Sequence, residues 1–176
     1  MGATAKGIGV AAVLLQYLGW RCGSVLRLET EHVQDTGTRF HIQCTHCKTG
    51  ATEGFPSAVV SFTQVPKLHN MLAAWIAARK AAGHRLLFDI PEKGSLARWF
   101  NSELAQFFDE LAITATGWTS HCFRRGTASV LVALGVSERK IKTHLGWSLE
   151  SSMLSVYDKG VTATTSDKLF FYDVLH

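Results

Sequence analysis

The sequence predicts a mainly α-helical domain with a small antiparallel β-hairpin, an α+β fold. Two observations lead to this class. Most of the chain repeats apolar residues at a helical spacing, whereas segments 38–47 and 58–65 alternate apolar and polar residues around the turn-rich stretch 48–54. We find no internal repeat or interdomain linker, so we expect one domain over residues 1–176.

The N-terminal half contains the first three predicted helices and the hairpin. Residues 8–19 are almost entirely apolar, which is typical of a buried helix. Ser24 is the expected N-cap of a short second helix, because a serine hydroxyl can accept a first-turn N–H. The two alternating segments then form the hairpin, which Pro66 closes. Residues 67–82 repeat apolar side chains every three or four positions and predict an amphipathic helix.

Four more helices are predicted in the C-terminal half. Serine or threonine, whose side chains cap helix N-termini well, precedes three of them, and glycine, which is typical of C-caps, follows two. The segments are 95–111 (capped by Ser95), 120–134 (capped by Thr119 or Ser120 and ended by Gly135), 138–145 (capped by Ser137 and ended by Gly146) and 151–158, which holds Tyr157.

Composition narrows the possible functions. The 47% apolar content is sufficient for a core, and no uncharged run of eighteen apolar residues indicates a membrane span. The net charge is +4 and the pI is near 9.0, a modest excess that suits a polyanionic partner without requiring one. Five basic residues cluster near the C-terminal third, although a solvated helix face explains such a cluster equally well: Arg124, Arg125, Arg139, Lys140 and Lys142.

The four cysteines do not have the spacing of a secreted disulfide scaffold, so we expect a reducing interior, cytosolic or nuclear. Cys44 and Cys47 form a CxxC segment next to His41 and His46, which is similar to half of a zinc site. A structural zinc usually takes a second ligand pair further along the chain, and no such pair follows here. We therefore expect a plain strand end, with no metal and no cofactor.

The polar residues with the clearest chemical pattern lie between residues 120 and 159. His121 and Arg124 are one helical turn apart, on one face, near a helix N-terminus that favours anions. A Leu-Gly-Trp turn ends at Trp147, and Tyr157 follows after a short polar break. A histidine and an arginine on one face can hold a phosphate, and a tyrosine beside them can attack phosphorus. The pattern favours cleavage and rejoining of a nucleic-acid backbone.

The order of these parts resembles the catalytic domain of the tyrosine recombinases, the phage-integrase family. It comprises an arginine after the first helix, a lysine at the hairpin turn, His-x-x-Arg, Leu-Gly-Trp and then a tyrosine. The resemblance extends from about Val13 to Tyr157 and is strongest over 119–129 and 144–147. An isolated HxxR motif occurs in many unrelated proteins. The whole ordered set of motifs, in one domain of matching size, is specific for this family.

The resemblance implies a role for each of six residues. These are Arg21 and Arg124 as clamps on the scissile phosphate, His121 in the second clamp and as proton acceptor, Lys48 as the acid that protonates the leaving 5′ oxygen, Trp147 as a phosphate contact, and Tyr157 as the nucleophile. The chemistry is consistent with these roles. Phosphoryl transfer depends on positioning and electrostatic stabilisation, and planar guanidinium groups bind two oxygens better than ammonium groups do. Arg27, Tyr17 and Tyr172 are the nearest rivals of the arginine and the tyrosine.

Three features depart from the pattern of the family. Tyr157 follows Trp147 by ten positions (157 − 147), one more than expected, so the tyrosine helix should start late or bulge. Ser24 stands where an acidic residue is usual, three positions after Arg21. We also expect the N-terminal core-binding domain of the family to be absent, which would leave weak, salt-dependent DNA affinity.

The leading function is a site-specific DNA recombinase or integrase of phage, plasmid or transposon origin. The resemblance implies double-stranded DNA as partner, a tetramer on paired sites, an intracellular location with DNA, and exchange of residues 160–176 between protomers. That segment could equally fold back in cis. A type IB topoisomerase, a telomere resolvase, a non-catalytic DNA-binding relic and a zinc-stabilised interaction module remain as alternatives.

Overall fold

The computed structural model describes residues 3–47, 56–62 and 65–157 of the 176-residue chain. These ranges form six α-helices, three β-strands and two 3-10 turns. The helices are α1 (Ala3–Leu18), α2 (Cys22–Leu26), α3 (Pro66–Ala81), α4 (Leu96–Glu110), α5 (Ser120–Ala133) and α6 (Glu138–Leu145). The strands are β1 (Val33–Asp35), β2 (Arg39–Gln43) and β3 (Ser57–Ser61), and the 3-10 turns are Thr30–His32 and Met153–Val156. The predicted mainly helical α+β class is confirmed.

The sheet contains the predicted hairpin and one strand more. Strands β2 and β3 pair antiparallel, with Phe40 opposite Val60, and the apolar side chains of both strands are buried on one face. Strand β1 pairs with the other edge of β2, so the order is β1-β2-β3. It was not predicted because three residues with a single apolar side chain, Val33, are too short to show a period. The predicted hairpin tip, 48–54, lies outside the described residues.

The helix boundaries confirm some predicted caps and correct others. Ser95 caps α4, since its Oγ accepts a hydrogen bond from the Arg98 N–H at 3.4 Å. Ser24 does not cap α2: Arg21 occupies the N-cap position, and Ser24 is buried inside the helix. Pro66 starts α3 rather than closing the hairpin, which suits proline because the first helical N–H needs no partner.

The helix predicted at 151–158 is also shorter than expected. The chain forms only the 3-10 turn Met153–Val156, and Tyr157 is its C-cap. The late start agrees with the expectation drawn from the long interval between Trp147 and Tyr157. Ahead of this segment, Gly146 ends α6 in the left-handed conformation, with φ of 62°, which turns the chain sharply before Trp147.

Two clusters of buried side chains make up the interior. The larger, which we call the N-terminal core, surrounds α1, whose Ala11, Leu14, Leu15 and Leu18 are completely buried among α2, the sheet, α3 and α4. The smaller, the C-terminal core, joins α5 to α6 and consists of Ala128, Leu131, Ile141, Leu145, Trp147 and Tyr157. Two of the predicted site residues are therefore part of a packed cluster. None of the helices in the described ranges is long and apolar enough to cross a bilayer.

Candidate active site

An open cleft of about 1030 Å³ lies where the two cores meet. Five of the six predicted site residues line it: Arg21, His121, Arg124, Trp147 and Tyr157. They come from the start of α2, the first two turns of α5 and the chain that follows α6. The sixth, Lys48, lies outside the described residues, although His46 and Cys47 just before it also line the cleft.

Arg124 is the most deeply placed cation of the cleft, with only 5% of its surface exposed. Its Nη1 donates to the carbonyl oxygens of Gly19, at 2.7 Å, and Leu145, at 3.0 Å. Its Nη2 is buried and has no hydrogen-bond partner among the described residues. Within those ranges no ion pair involves Arg124. Two carbonyls thus hold the side chain, while its charge has no counter-ion in the described part of the chain.

The environment of Arg124 is unfavourable to its own charge. Burial, together with the nearby positive charge of Arg21, lowers the pKa of Arg124 to about 10. The group still carries its charge at neutral pH. A buried cation placed beside a second cation is stabilised by an anion that binds between them.

The turn between α1 and α2 brings Arg21 to this position. Gly19 has φ of 59°, and a Cβ there would collide with the Leu145 side chain and lie 2.9 Å from Thr127 Cγ2. Only glycine therefore lets the end of α1 approach α5 and α6 this closely. Arg21 follows with an extended backbone and an exposed side chain. Arg27, the rival from the sequence, also lines the cleft, so the structure brings both arginines to it.

His121 is the second residue of α5 and is exposed at the cleft. Thr119 occupies the N-cap position of this helix, as predicted, but its side chain makes no capping hydrogen bond. Instead, Asn101 Oδ1 on α4 accepts a hydrogen bond from the Ser120 N–H at 2.8 Å. Sequence analysis missed Asn101 because a cap supplied by another helix leaves no local signal.

Trp147 and Tyr157 stack on each other beside Arg124. Their ring centroids are 5.5 Å apart and their planes differ by 18°. The Arg124 guanidinium carbon lies 4.9 Å from the centroid of the Trp147 ring, within the range of a cation–π contact. Tyr157 is 4% exposed, and its carbonyl accepts a hydrogen bond from Ser129 Oγ at 3.3 Å. The cation, the indole and the phenol therefore form one contiguous group.

The rival tyrosine Tyr17 does not line the cleft. It packs edge-on against Phe62, with centroids 4.6 Å apart, and burial raises its pKa well above the usual value. A phenol that is harder to ionise is a poorer nucleophile. The second rival, Tyr172, lies outside the described residues, as does the tail 160–176.

The CxxC segment does not form a metal cluster with neighbours in the described ranges. Cys44 is fully buried at the end of β2, and burial raises the pKa of its thiol, which disfavours the thiolate that zinc binds. In residues 3–47, 56–62 and 65–157, the group of potential ligands close enough to share an ion is Glu29, Glu31 and His32. In that group, Glu29 already forms a two-point ion pair with Arg85.

Solved recombinase structures are similar to this chain. The XerH site-specific recombinase in a pre-cleavage complex with difH substrate matches with a TM-score of 0.66 and 16% identity, over 91% of this chain and 45% of that one. The XerA recombinase matches with a TM-score of 0.60 and 15% identity, over 98% and 62%. The integrase from mycobacterium phage Brujita matches with a TM-score of 0.54 and 12% identity, over 97% and 51%.

The chain thus corresponds to between 45% and 62% of the length of these proteins. No protein-family model and no curated protein sequence matches it. At identities of 12–16%, the structural likeness establishes the fold. The chain therefore has the fold of the tyrosine-recombinase catalytic domain, as the order of its sequence motifs predicted.

Proposed function

We propose that this chain is the catalytic part of a site-specific DNA recombinase or integrase that acts through a covalent 3′-phosphotyrosine. The observation that carries the proposal is the grouping of Arg21, Arg124 and Tyr157 in one cleft, with the charge of Arg124 lacking a carboxylate among the described residues. The XerH structures are complexes with DNA before and after cleavage, which supports duplex DNA as the substrate class.

In the proposed reaction, Arg21 and Arg124 bind the non-bridging oxygens of the scissile phosphate. Guanidinium groups suit this task because each can donate two parallel hydrogen bonds to an oxyanion. The Nη2 of Arg124, which has no hydrogen-bond partner among the described residues, is one such donor. Because this nitrogen is shielded from solvent, DNA binding must shift a covering side chain before a phosphate oxygen can reach it.

The chemical step exchanges one ester for another. The Tyr157 oxygen attacks phosphorus, His121 accepts the phenol proton, and the bond from phosphorus to the 5′ oxygen breaks. Lys48 donates a proton to that leaving oxygen, a role that rests on the sequence pattern alone. The Trp147 indole supports the phosphate and packs against Tyr157. Attack of a 5′ hydroxyl on the phosphotyrosine reverses these steps, so rejoining requires no ATP.

The test is the covalent adduct. A nicked suicide substrate carrying the target site prevents religation, so the full-length protein should accumulate as a 3′-phosphotyrosyl complex that a denaturing gel resolves. Tyr157→Phe should abolish the adduct, because it removes only the attacking oxygen. Tyr17→Phe, at a buried tyrosine that does not line the cleft, is the matched control and should retain it.

An adduct that persists in Tyr157→Phe would place the nucleophile elsewhere and contradict the proposal. The products then distinguish related activities. Recombined site pairs are expected here, whereas relaxed circles would indicate a topoisomerase and hairpin ends a telomere resolvase. Tetramer formation on paired sites, with exchange of residues 160–176, is part of the proposal and predicts a defined higher-order complex on DNA.

A further inference from the structure

We propose that Lys142 is a positioning residue for Tyr157, because its buried ammonium group fastens the chain that connects Trp147 to the tyrosine. This inference rests on the proposed function, in which Tyr157 is the nucleophile. Lys142 does not line the cleft and has no part in the chemistry described above. It acts through the backbone of the connection.

The contacts of Lys142 are unusual for a lysine. Only 8% of its side chain is exposed, and its Nζ donates to the Leu149 carbonyl oxygen at 2.6 Å. The same nitrogen forms an ion pair with Glu138 Oε1, also at 2.6 Å, one turn earlier on α6. Lysine is rarely buried unless its charge is paired, because removing an ammonium group from water is costly. Here the buried ammonium group of Lys142 is hydrogen-bonded to the carbonyl of Leu149, in the loop after α6.

The connection that Lys142 holds makes mainly local hydrogen bonds in the described chain. Residues 148–152 belong to no helix or strand. The other hydrogen bonds recorded for them are local: the Ser151 N–H donates to the Ser148 carbonyl, the Glu150 N–H to Ser148 Oγ, the Met153 N–H to Ser151 Oγ, and Ser155 Oγ to the Ser152 carbonyl. The Leu149 side chain is 54% exposed, so packing holds it weakly. The bond to Lys142 therefore joins this stretch to the helical framework.

The position of this bond matters for the tyrosine. Trp147 and Tyr157 stack although ten positions separate them, so the connection must fold back on itself. Lys142 anchors it at Leu149, two residues after Trp147, and Ser129 holds the far end at the Tyr157 carbonyl. Without the first anchor the tyrosine would sample more positions. Displacing a reacting group by about 1 Å can cost about 100-fold in rate.

The experiment compares three variants in the suicide-substrate reaction of the full-length protein, under single-turnover conditions at saturating DNA. Lys142→Met keeps the unbranched stem without the ammonium group and should slow adduct formation about 10- to 100-fold, with the Kd for DNA changed less than about twofold. Lys142→Arg keeps a donor cation and should recover most of the lost rate. Lys140→Met, at an exposed lysine of the same helix, should react within about twofold of wild type at saturating DNA.

Hydrogen exchange then separates positioning from general destabilisation. In Lys142→Met the amides of 148–157 should exchange faster while those of α1 and α4 keep their protection. A wild-type rate in Lys142→Met, no recovery in Lys142→Arg, or loss of protection throughout the domain would each overturn the inference. If Lys142→Met does not fold, Lys142→Gln, whose shorter amide cannot reach Leu149, replaces it under the same criteria. An inactive wild-type protein would instead contradict the proposed function, and the positioning role with it.

Discussion

Arg79 and Arg124 are both buried arginines, yet among the described residues only the charge of Arg79 has a counter-ion. Their exposed fractions are 7% and 5%, and each guanidinium faces a tryptophan ring, at 5.9 Å for Arg79 and 4.9 Å for Arg124. Arg79 forms a two-point pair with Asp89, with N–O distances of 2.9 and 2.8 Å. Its Nε and Nη2 also donate to the Leu86 carbonyl, so all three nitrogens have partners.

Arg124 differs from Arg79 in its hydrogen-bond and charge partners. It has two carbonyl acceptors on one nitrogen, no acceptor for Nη2 in the described chain, and a cation, Arg21, where Arg79 has a carboxylate. A buried charge without a partner is costly for folding. The comparison indicates that Arg79 serves the fold and Arg124 serves a ligand.

The largest expected effect is the loss of cleavage in Arg124→Ala. Removing a guanidinium from a phosphoryl-transfer site should lower the rate of adduct formation by about 10³-fold or more. The free energy of unfolding should change less than in Arg79→Ala, because the substitution also removes an unpaired buried charge. Adduct kinetics and urea denaturation measure the two quantities. If Arg124→Ala unfolds the domain, the residue has a structural role. Arg124→Lys keeps a cation and serves as the second variant: it should fold but still cleave slowly.

Arg79→Ala should show the opposite pattern. It removes several charge-assisted hydrogen bonds and buried stem contacts, at a cost of about 2 kcal/mol. For a chain of this length that corresponds to a fall in Tm of about 4–8 °C. Below the transition, the rate of adduct formation should stay within about twofold of wild type. A loss of activity in a fully folded Arg79→Ala protein would contradict the division between the two arginines.

The local motifs that contain Arg124 and Trp147 could be predicted from the sequence. The hydrogen-bond partners of Arg124, which are distant in the sequence, could not. Arg124 and Trp147 were singled out because they belong to an ordered set of local motifs, His-x-x-Arg on one helix face and Leu-Gly-Trp at a helix end, that resembles the tyrosine recombinases. The partners of Arg124 are carbonyls of Gly19, 105 positions away, and Leu145. No periodicity encodes such contacts. The same reason explains why Asn101 as the cap of α5 and Lys142 as the tether of Leu149 became visible only in the folded chain.

An oxyanion should stabilise the wild-type protein through Arg124 and Arg21. At a tenfold excess over its Kd, a tetrahedral anion such as tungstate adds about 1.4 kcal/mol to the free energy of unfolding. Thermal denaturation in tungstate, against chloride at equal ionic strength, measures the gain. Arg79→Ala should keep the full gain, whereas Arg124→Ala and Arg21→Ala should lose it. An equal gain in all four proteins would mean that the anion acts by general exclusion from the surface.

The smallest expected effect comes from making Arg79 more like Arg124. Asp89→Asn removes the counter-charge of Arg79 while keeping the size of the side chain. Because the Asp89 carboxylate is largely exposed, solvent screens the pair and the loss at neutral pH should be about 1 kcal/mol. The pH dependence identifies the cause. Hydrogen bonds from Arg79 hold the pKa of Asp89 below its usual value.

The contribution of the Asp89 pair is therefore complete above the carboxyl's unfolded pKa of about 3.9 and is lost as the pH falls through the lower, folded value. Wild type and Asp89→Asn should thus differ in stability at pH 7 and converge once the pH has fallen below the folded pKa of the carboxyl. Other carboxyl groups titrate in both proteins and cancel in the difference. A gap that is constant with pH would show that Asp89 acts through its shape or its hydrogen bonds rather than its charge, and the contrast with Arg124 would then not be one of charge pairing.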